Sequence, residues 1–333
     1  MSSRGEEVLV TGASGFVGRF VTRVLLARGA RVRGLVRPGS APLEPGVEPA
    51  PVEGLHDREG LRRAVAGVGA VVHLAGRVHV IRETAADPLA EFRRVNVEGT
   101  RTLMEEALRA GARRFVHAST VNAMGEGGGA VLADDTPPTP ADPYGVSKLE
   151  AEGVVRELTA AAGAHAAILR FPLVYGPGVD ANFLRLLQTV DRGVPLPFGL
   201  VGNRRSLLYV ENAAAAVATA LESPAAAGET FLVSDRDDVS TPELVRRVAR
   251  ALGRPARLVP FPPALFALGG RIGDLLARAA PFPLTSADVH RLLGSLAVDS
   301  SRFGRLTGFT PPFTMEEGLA ATAAWYHARG RPA

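Results

Sequence analysis

The sequence predicts an α/β chain: a doubly wound parallel sheet followed by a smaller C-terminal domain. Three observations carry that prediction. Short apolar runs alternate with amphipathic stretches through the first half, as in a parallel sheet with helices on both faces. A glycine-rich turn, Gly12-Ala-Ser-Gly15-Phe-Val-Gly18, closes the first apolar run and opens the first amphipathic one. From about Gly176 the alternation breaks down, and prolines such as Pro177, Pro195, Pro197, Pro260, Pro262 and Pro263 become frequent.

Val8–Thr11 reads as a buried strand. Phe16 to Arg28 reads as a helix, because Val17, Phe20, Val21, Val24 and Leu25 share one face and Gly29 stops it. Further strands are predicted at Val32–Val36, Ala70–Leu74, Arg114–Ala118 and Ala166–Arg170, with helices at Leu61–Ala66, Glu91–Ala110 and Tyr144–Ala162. A late strand, Thr230–Val233, returns to the apolar pattern. Ser240-Thr-Pro-Glu243 reads as a capping box with proline in the first turn, opening a helix to Leu252. The implied division is a unit of residues 1–175 rejoined by about 205–235, and a second unit of about 176–204 and 236–330. The apolar stretch Pro263–Ala279 is too short, and too interrupted by Arg271 and Asp274, to span a bilayer; a buried helix is expected.

The absence of cysteine excludes a disulfide framework and a thiolate metal site, and the seven histidines show no ligand spacing, so no metal is expected. Residues Met1 to Val10 hold two glutamates and no long apolar run, which does not fit a signal peptide and points to the cytoplasm. The net charge of +4 comes from arginines scattered in ones and twos rather than gathered in a stripe, so no nucleic-acid partner is expected. Of 38 basic residues only Lys148 is lysine. Arginine replaces lysine wherever a surface charge suffices, but not where a compact ammonium must direct three hydrogen bonds. Composition alone therefore singles out Lys148.

The glycine turn between a strand and a helix is the pattern of a dinucleotide site in a Rossmann-type sheet. Glycine lets the backbone approach a pyrophosphate, and the helix N-terminus offers free N–H groups. Gly12, Ser14, Gly15, Phe16, Val17 and Gly18 are the candidate contacts. NAD sites usually carry an acidic residue about 20 positions on. Here none occurs from Val8 through Leu43, and the second strand ends at Val36-Arg37. Arg37 could pair with a 2′-phosphate, so the cofactor is NADP or NAD, with NADP favoured.

Tyr144-Gly-Val-Ser-Lys148 sets a tyrosine and a lysine four apart on one helix face. A phenol with an unperturbed pKa near 10 is a poor base at neutral pH. An adjacent ammonium would lower that value and let the hydroxyl exchange a proton with an alcohol or carbonyl.

The segments TGASGFVG (11–18), HLAG (73–76), Asn96, Ala118-Ser-Thr120 and YGVSK (144–148), in that order, resemble the extended short-chain dehydrogenase/reductase family. PLPFG (195–199), NRRSLLYVEN (203–212), ETFLVSD (229–235) and DVSTPEL (238–244) resemble its bacterial UDP-glucose 4-epimerase-like subgroup, which acts on nucleotide-linked sugars in polysaccharide assembly. The resemblance implies a Rossmann-type domain with a smaller C-terminal substrate domain, and a homodimer is expected. It implies that Leu74, Ala75 and Gly76 line the cofactor and that Lys148 holds the nicotinamide ribose. Thr120 would hydrogen-bond the reacting sugar oxygen beside Tyr144, and Asn96 would support a bound water or a helix bend. Arg205 and Arg291 would grip the substrate diphosphate, for which bidentate guanidinium geometry suits. Met124 stands where many of these epimerases have tyrosine, Pro172 where a sugar-binding asparagine is common with Asn182 not far beyond, and Gly54 where an adenine-binding aspartate is usual.

The leading expectation is an enzyme acting at C4 of a UDP-linked sugar, as epimerase or 4-ketoreductase. An NADP-dependent reductase of a lipid, steroid-like or polyketide ketone is the alternative, favoured by Pro263–Ala279 and Met124 and opposed by Arg205. A non-catalytic cofactor-binding sensor ranks last, because Tyr144 and Lys148 are both present.

Overall fold

The computed structural model describes residues 5–78, 87–125, 129–276, 286, 289 and 293–329. Strands β1 (Glu7–Thr11), β2 (Arg31–Val36), β3 (Glu48–Pro51), β4 (Ala70–His73), β5 (Arg114–Thr120), β6 (His165–Phe171) and β9 (Thr230–Leu232) form one sheet in the order β3-β2-β1-β4-β5-β6-β9. Every pairing in it is parallel. The chain steps from β1 outward to β2 and β3, then returns to lay β4 on the other side of β1. That reversal opens a crevice at the strands' carboxyl ends, where doubly wound sheets bind their ligands.

Strand alternation feeds two cores. Val8, Val10 and Val72 point into one, beneath α1 (Phe16–Ala27) and the alanine-rich α7 (Val210–Glu222). Leu9, Val71, Phe115 and Ile168 point into the other, beneath α2 (Arg58–Ala64), α4 (Gly99–Arg109) and α5 (Pro143–Ala161). β3 carries Pro49 and Pro51, which fits its edge position, since proline cannot donate to a central ladder. The helix expected over Glu91–Ala110 is interrupted: α3 (Pro88–Arg93) leads through a π-helical turn, Arg94–Glu98, into α4.

The later chain adds α6 (Ala181–Asp191) and a short parallel pair, β7 (Leu173–Tyr175) with β8 (Leu207–Tyr209). It continues through α8 (Thr241–Ala251), α9 (Pro263–Leu276), α10 (Ser301–Thr307) and α11 (Met315–Ala328). At α8 the Ser240 hydroxyl accepts from the Glu243 N–H, but the Glu243 carboxylate turns to Arg246 and Arg247 instead of closing the expected box. The closed box is at α11, between Thr314 and Glu317. α9 forms, but it is not the buried helix expected: Leu265, Leu268 and Leu275 are 47%, 54% and 63% exposed. Residues 277–279 of that apolar stretch lie outside the described residues. Among the described residues no helix is long and apolar enough to cross a membrane.

Candidate active site

The glycine turn is built for close approach. A Cβ on Gly18 would sit 2.0 Å from the Gly12 carbonyl oxygen, so only glycine lets α1 start directly over the end of β1. Gly15 caps α1 with no side-chain partner, and no acidic residue stands in the first turn. The N–H groups of Phe16, Val17 and Gly18 thus open onto the carboxyl edge, where the helix dipole favours an anion. This fits a dinucleotide pyrophosphate. Thr11 braces the same turn: its hydroxyl oxygen accepts from the N–H groups of Leu74 and Ala75, at 3.1 and 3.0 Å.

Tyr144 stands at the start of α5. Asp142 caps that helix by accepting from the Gly145 N–H at 2.9 Å, and Pro143 fixes its first turn. A Cβ on Gly145 would lie 2.4 Å from the Asn122 carbonyl oxygen, so glycine there lets α5 press against the end of β5. The contact puts the Tyr144 phenol in hydrogen-bond contact with Thr120, the last residue of β5. The Phe92 ring packs 5.9 Å from that of Tyr144, and the Arg77 guanidinium lies over Phe92.

Lys148, one turn further along α5, is 6% exposed. Its ammonium donates to the Ala118 carbonyl at 2.7 Å and lies 3.2 Å from His117 Nε2. Burial lowers its pKa to about 8, against a smaller opposing pull from Glu152. The phenol moves contrary to the sequence expectation. Burial pushes Tyr144 up to about 12, the Thr120 hydrogen bond offsets part of that, and the Asp142 charge adds to it. The physical reason is orientation: the ammonium is turned to acceptors on β5.

Asn96 sits in the π-helical turn, 2% exposed. Its Oδ1 accepts from the Arg77 N–H at 2.7 Å, and its Nδ2 donates to the Arg77 carbonyl at 3.0 Å and to Ser147 Oγ at 2.9 Å. Ser147 in turn donates to the Tyr144 carbonyl at 2.8 Å. Asn96 thereby ties the Gly76–Arg77 loop to the helix that bears Tyr144 and Lys148.

His73 of β4 and His117 of β5 are register partners with ring centroids 5.1 Å apart. Thr100 spends its proton on the Asn96 carbonyl, so at 2.9 Å it must accept from His73 Nε2. His73 Nδ1 therefore accepts from Thr11, at 2.7 Å. Burial lowers the His73 pKa to about 3, and His117 is likewise held well below its ordinary value by burial, Lys148 and His73. Sequence reasoning did not single out His117; its signal is a lone histidine in the apolar strand Arg-Phe-Val-His-Ala-Ser-Thr.

Beneath this group lies a buried ion pair. Glu152 accepts from Arg170 Nε at 2.9 Å and Nη2 at 2.7 Å, from Ser119 at 2.6 Å, and from Arg156 at 2.8 Å. Met124, expected to line the substrate, is 1% exposed, with its sulfur against Arg170; it packs inward and is not presented to an open site. Asn182 is exposed in the first turn of α6. Arg205 lies where the chain bridges Val239 on one side and Leu296 on the other, and burial lowers its pKa. Arg37 is exposed at the end of β2 and lines a cleft of about 370 Å³ with Pro51, Glu53, Asp57 and Arg63. Arg291 lies outside the described residues.

Comparison with known proteins gives the chain's family. The model of the NAD-dependent epimerase/dehydratase family matches residues 8–234. The UDP-glucose 4-epimerase of Vibrio cholerae is 34% identical over 334 residues, covering 96% of this chain and 94% of that protein. A ceramide reductase of Caulobacter vibrioides is 31% identical over 331 residues, covering 97% and 95%. The solved UDP-glucose 4-epimerase of Thermus thermophilus, a complex with NAD, is similar with a TM-score of 0.76 at 26% identity, covering 98% of this chain and all of that one. With the family matched over more than half its length, the chain belongs to the NAD-dependent epimerase/dehydratase family and is an enzyme of the extended short-chain dehydrogenase/reductase type.

Proposed function

We propose that this enzyme moves hydride at C4 of a UDP-linked sugar, either reversibly as a 4-epimerase or once as a 4-ketoreductase. The observation that carries the reading is the Thr120–Tyr144 contact at the sheet's carboxyl edge, with Lys148 one helical turn away, in a chain similar to UDP-glucose 4-epimerases. When bound, NAD(P) supplies or accepts the hydride. The chain's own residues handle the proton and the placement. Tyr144 exchanges the proton of the C4 hydroxyl, and Thr120 hydrogen-bonds the same oxygen. A phenol near 12 is a proton donor at rest, which suits reduction of a 4-keto sugar; oxidation requires the phenolate, which the Thr120 hydrogen bond favours. Lys148 would hold the nicotinamide ribose, and Asn96 ties the Gly76–Arg77 loop to the helix that bears Lys148.

Within the same reading the cofactor is NADP(H). Asp57 already accepts from the N–H groups of Gly60 and Glu53, so its carboxylate is committed to the backbone, while Arg37 stands exposed at the strand end. Residues 176–204 and 236–330 would supply the sugar half of the site, with Arg205 on the diphosphate and Asn182 near the sugar. A ketoreductase of a lipid-like substrate is the second reading, favoured by the exposed leucines of α9 and by the similarity to a ceramide reductase.

UDP separates the two. On the sugar-nucleotide reading, UDP alone competes with substrate and raises the melting temperature. Arg205→Ala then raises KM more than it lowers kcat, since a grip remote from C4 is largely uniform binding. No stabilisation by millimolar UDP, together with an unchanged KM in Arg205→Ala, would leave only the apolar-ketone reading.

A further inference from the structure

Lys148 Nζ carries donors only, so at 3.2 Å His117 Nε2 must accept, and the ring proton resides on Nδ1. That Nδ1 is buried with no hydrogen-bond partner. Buried polar atoms are nearly always partnered, and an apolar side chain would fill this place on β5 without leaving one stranded. His73, directly across on β4, is the control: both its nitrogens are partnered, through Thr11 and Thr100, and it carries the opposite tautomer. The His117 ring is thus held in the one orientation that serves the lysine.

We propose that His117 is a positioning residue for Lys148, taking one N–H donor of the ammonium and so fixing both the direction and the charge of the group that would hold the nicotinamide ribose. This rests on the reading of Lys148 given above. The charged and titratable groups around the pair are few. His73 faces it from β4, Arg156 bears on His117 from α5, and Glu152, one turn beyond Lys148 on α5, favours the ammonium. The pair's immediate acceptors, the Ala118 carbonyl and the ring, are neutral. With Lys148 at about 8, loss of one acceptor moves its titration through the neutral range.

The single lysine makes the test direct. Protein labelled with 13Cε- and 15Nζ-lysine gives one side-chain lysine resonance, whose pH titration reads Lys148 alone. In His117→Phe the midpoint should fall by about one unit or more, as expected when a buried ammonium loses a hydrogen bond. His117→Gln, which keeps an acceptor, should bring it back toward the wild-type value. The alkaline fall of kcat should move to lower pH with the resonance, whereas a merely structural role would lower kcat equally at every pH. In 15N-histidine spectra of the wild type, His117 should be the Nδ1–H tautomer and His73 the Nε2–H tautomer. An unchanged midpoint in His117→Phe, or His117 protonated on Nε2, would overturn the proposal; the tautomer decides by itself if the variant does not fold. The resonance and tautomer measurements need no substrate, so they can fail while UDP binding stands, and the reverse.

Discussion

Two buried polar groups lie a single turn apart on the inner face of α5, and they are satisfied in opposite ways. Lys148 meets neutral acceptors, a backbone carbonyl and a histidine ring. Glu152 meets two guanidinium groups and a serine hydroxyl. Glu152, bonded to Ser119, Arg156 and Arg170, serves as a joint between β5, α5 and β6. A buried charge whose direct partners are dipoles is depressed by burial more than the nearby Glu152 restores, as the lysine at about 8 shows. One helix thus carries the buried ammonium and, four residues on, the clamp that ties that helix to the sheet.

The sharpest break between the two is expected in activity. Tyr144→Phe, at the reactive end, should lower kcat by about 10²–10⁴-fold, the usual worth of a positioned proton donor, with NAD(P) affinity and melting temperature nearly unchanged. Retention of full kcat would remove Tyr144 from the chemistry.

At the clamp the effect should appear in stability instead. Arg170→Met strands Glu152 with the half-exposed Arg156 and should cost about 3–5 kcal/mol by denaturant unfolding. Adding Glu152→Leu should recover much of that, because the uncompensated charge is then gone. A loss near zero in Arg170→Met would mean that the pair is no joint at all.

The most gradual effect should come with acid. His73 is neutral when folded, with a pKa of about 3, and takes up a proton near pH 6.5 when unfolded. The unfolded state therefore binds more protons below about pH 6.5, and stability falls as pH drops from there toward 3, by about 1.4 kcal/mol per pH unit for each such histidine. His117, depressed in the same direction, adds to the slope. His73→Phe should flatten the acid limb; an equally steep limb would show that these rings do not govern it.

Much of the sheet was legible because its apolar runs are short and separated by amphipathic helices: β1, β2, β4, β5, β6 and β9 fall where the periodicity put them. β3 was not, since a strand of Glu-Pro-Ala-Pro has no strand pattern and exists only because β2 offers it an edge. β7 and β8, three residues each, make sense only against one another. The π-helical turn at Asn96 is a tertiary event that no local propensity encodes: it depends on Arg77 and Ser147 arriving from elsewhere. At the candidate site, spacing singled out Tyr144, Lys148 and the glycine turn. It misjudged the direction of the Tyr144 shift, because four-residue spacing says that two side chains share a face and not where their polar ends turn. Met124 was misread for a similar reason, as a sequence position does not tell the inner side of a turn from the outer.

A fold with one lysine, enclosed against β5, also carries its own clock. An acylating reagent in solution meets just two kinds of amine in this protein, the α-amino group and Lys148. The second is sheltered in the closed structure, so the label it acquires accumulates only while α5 stands away from the sheet. Mass spectrometry of that one residue therefore times the opening of α5, and a bound nucleotide that holds α5 down slows it in proportion to its occupancy.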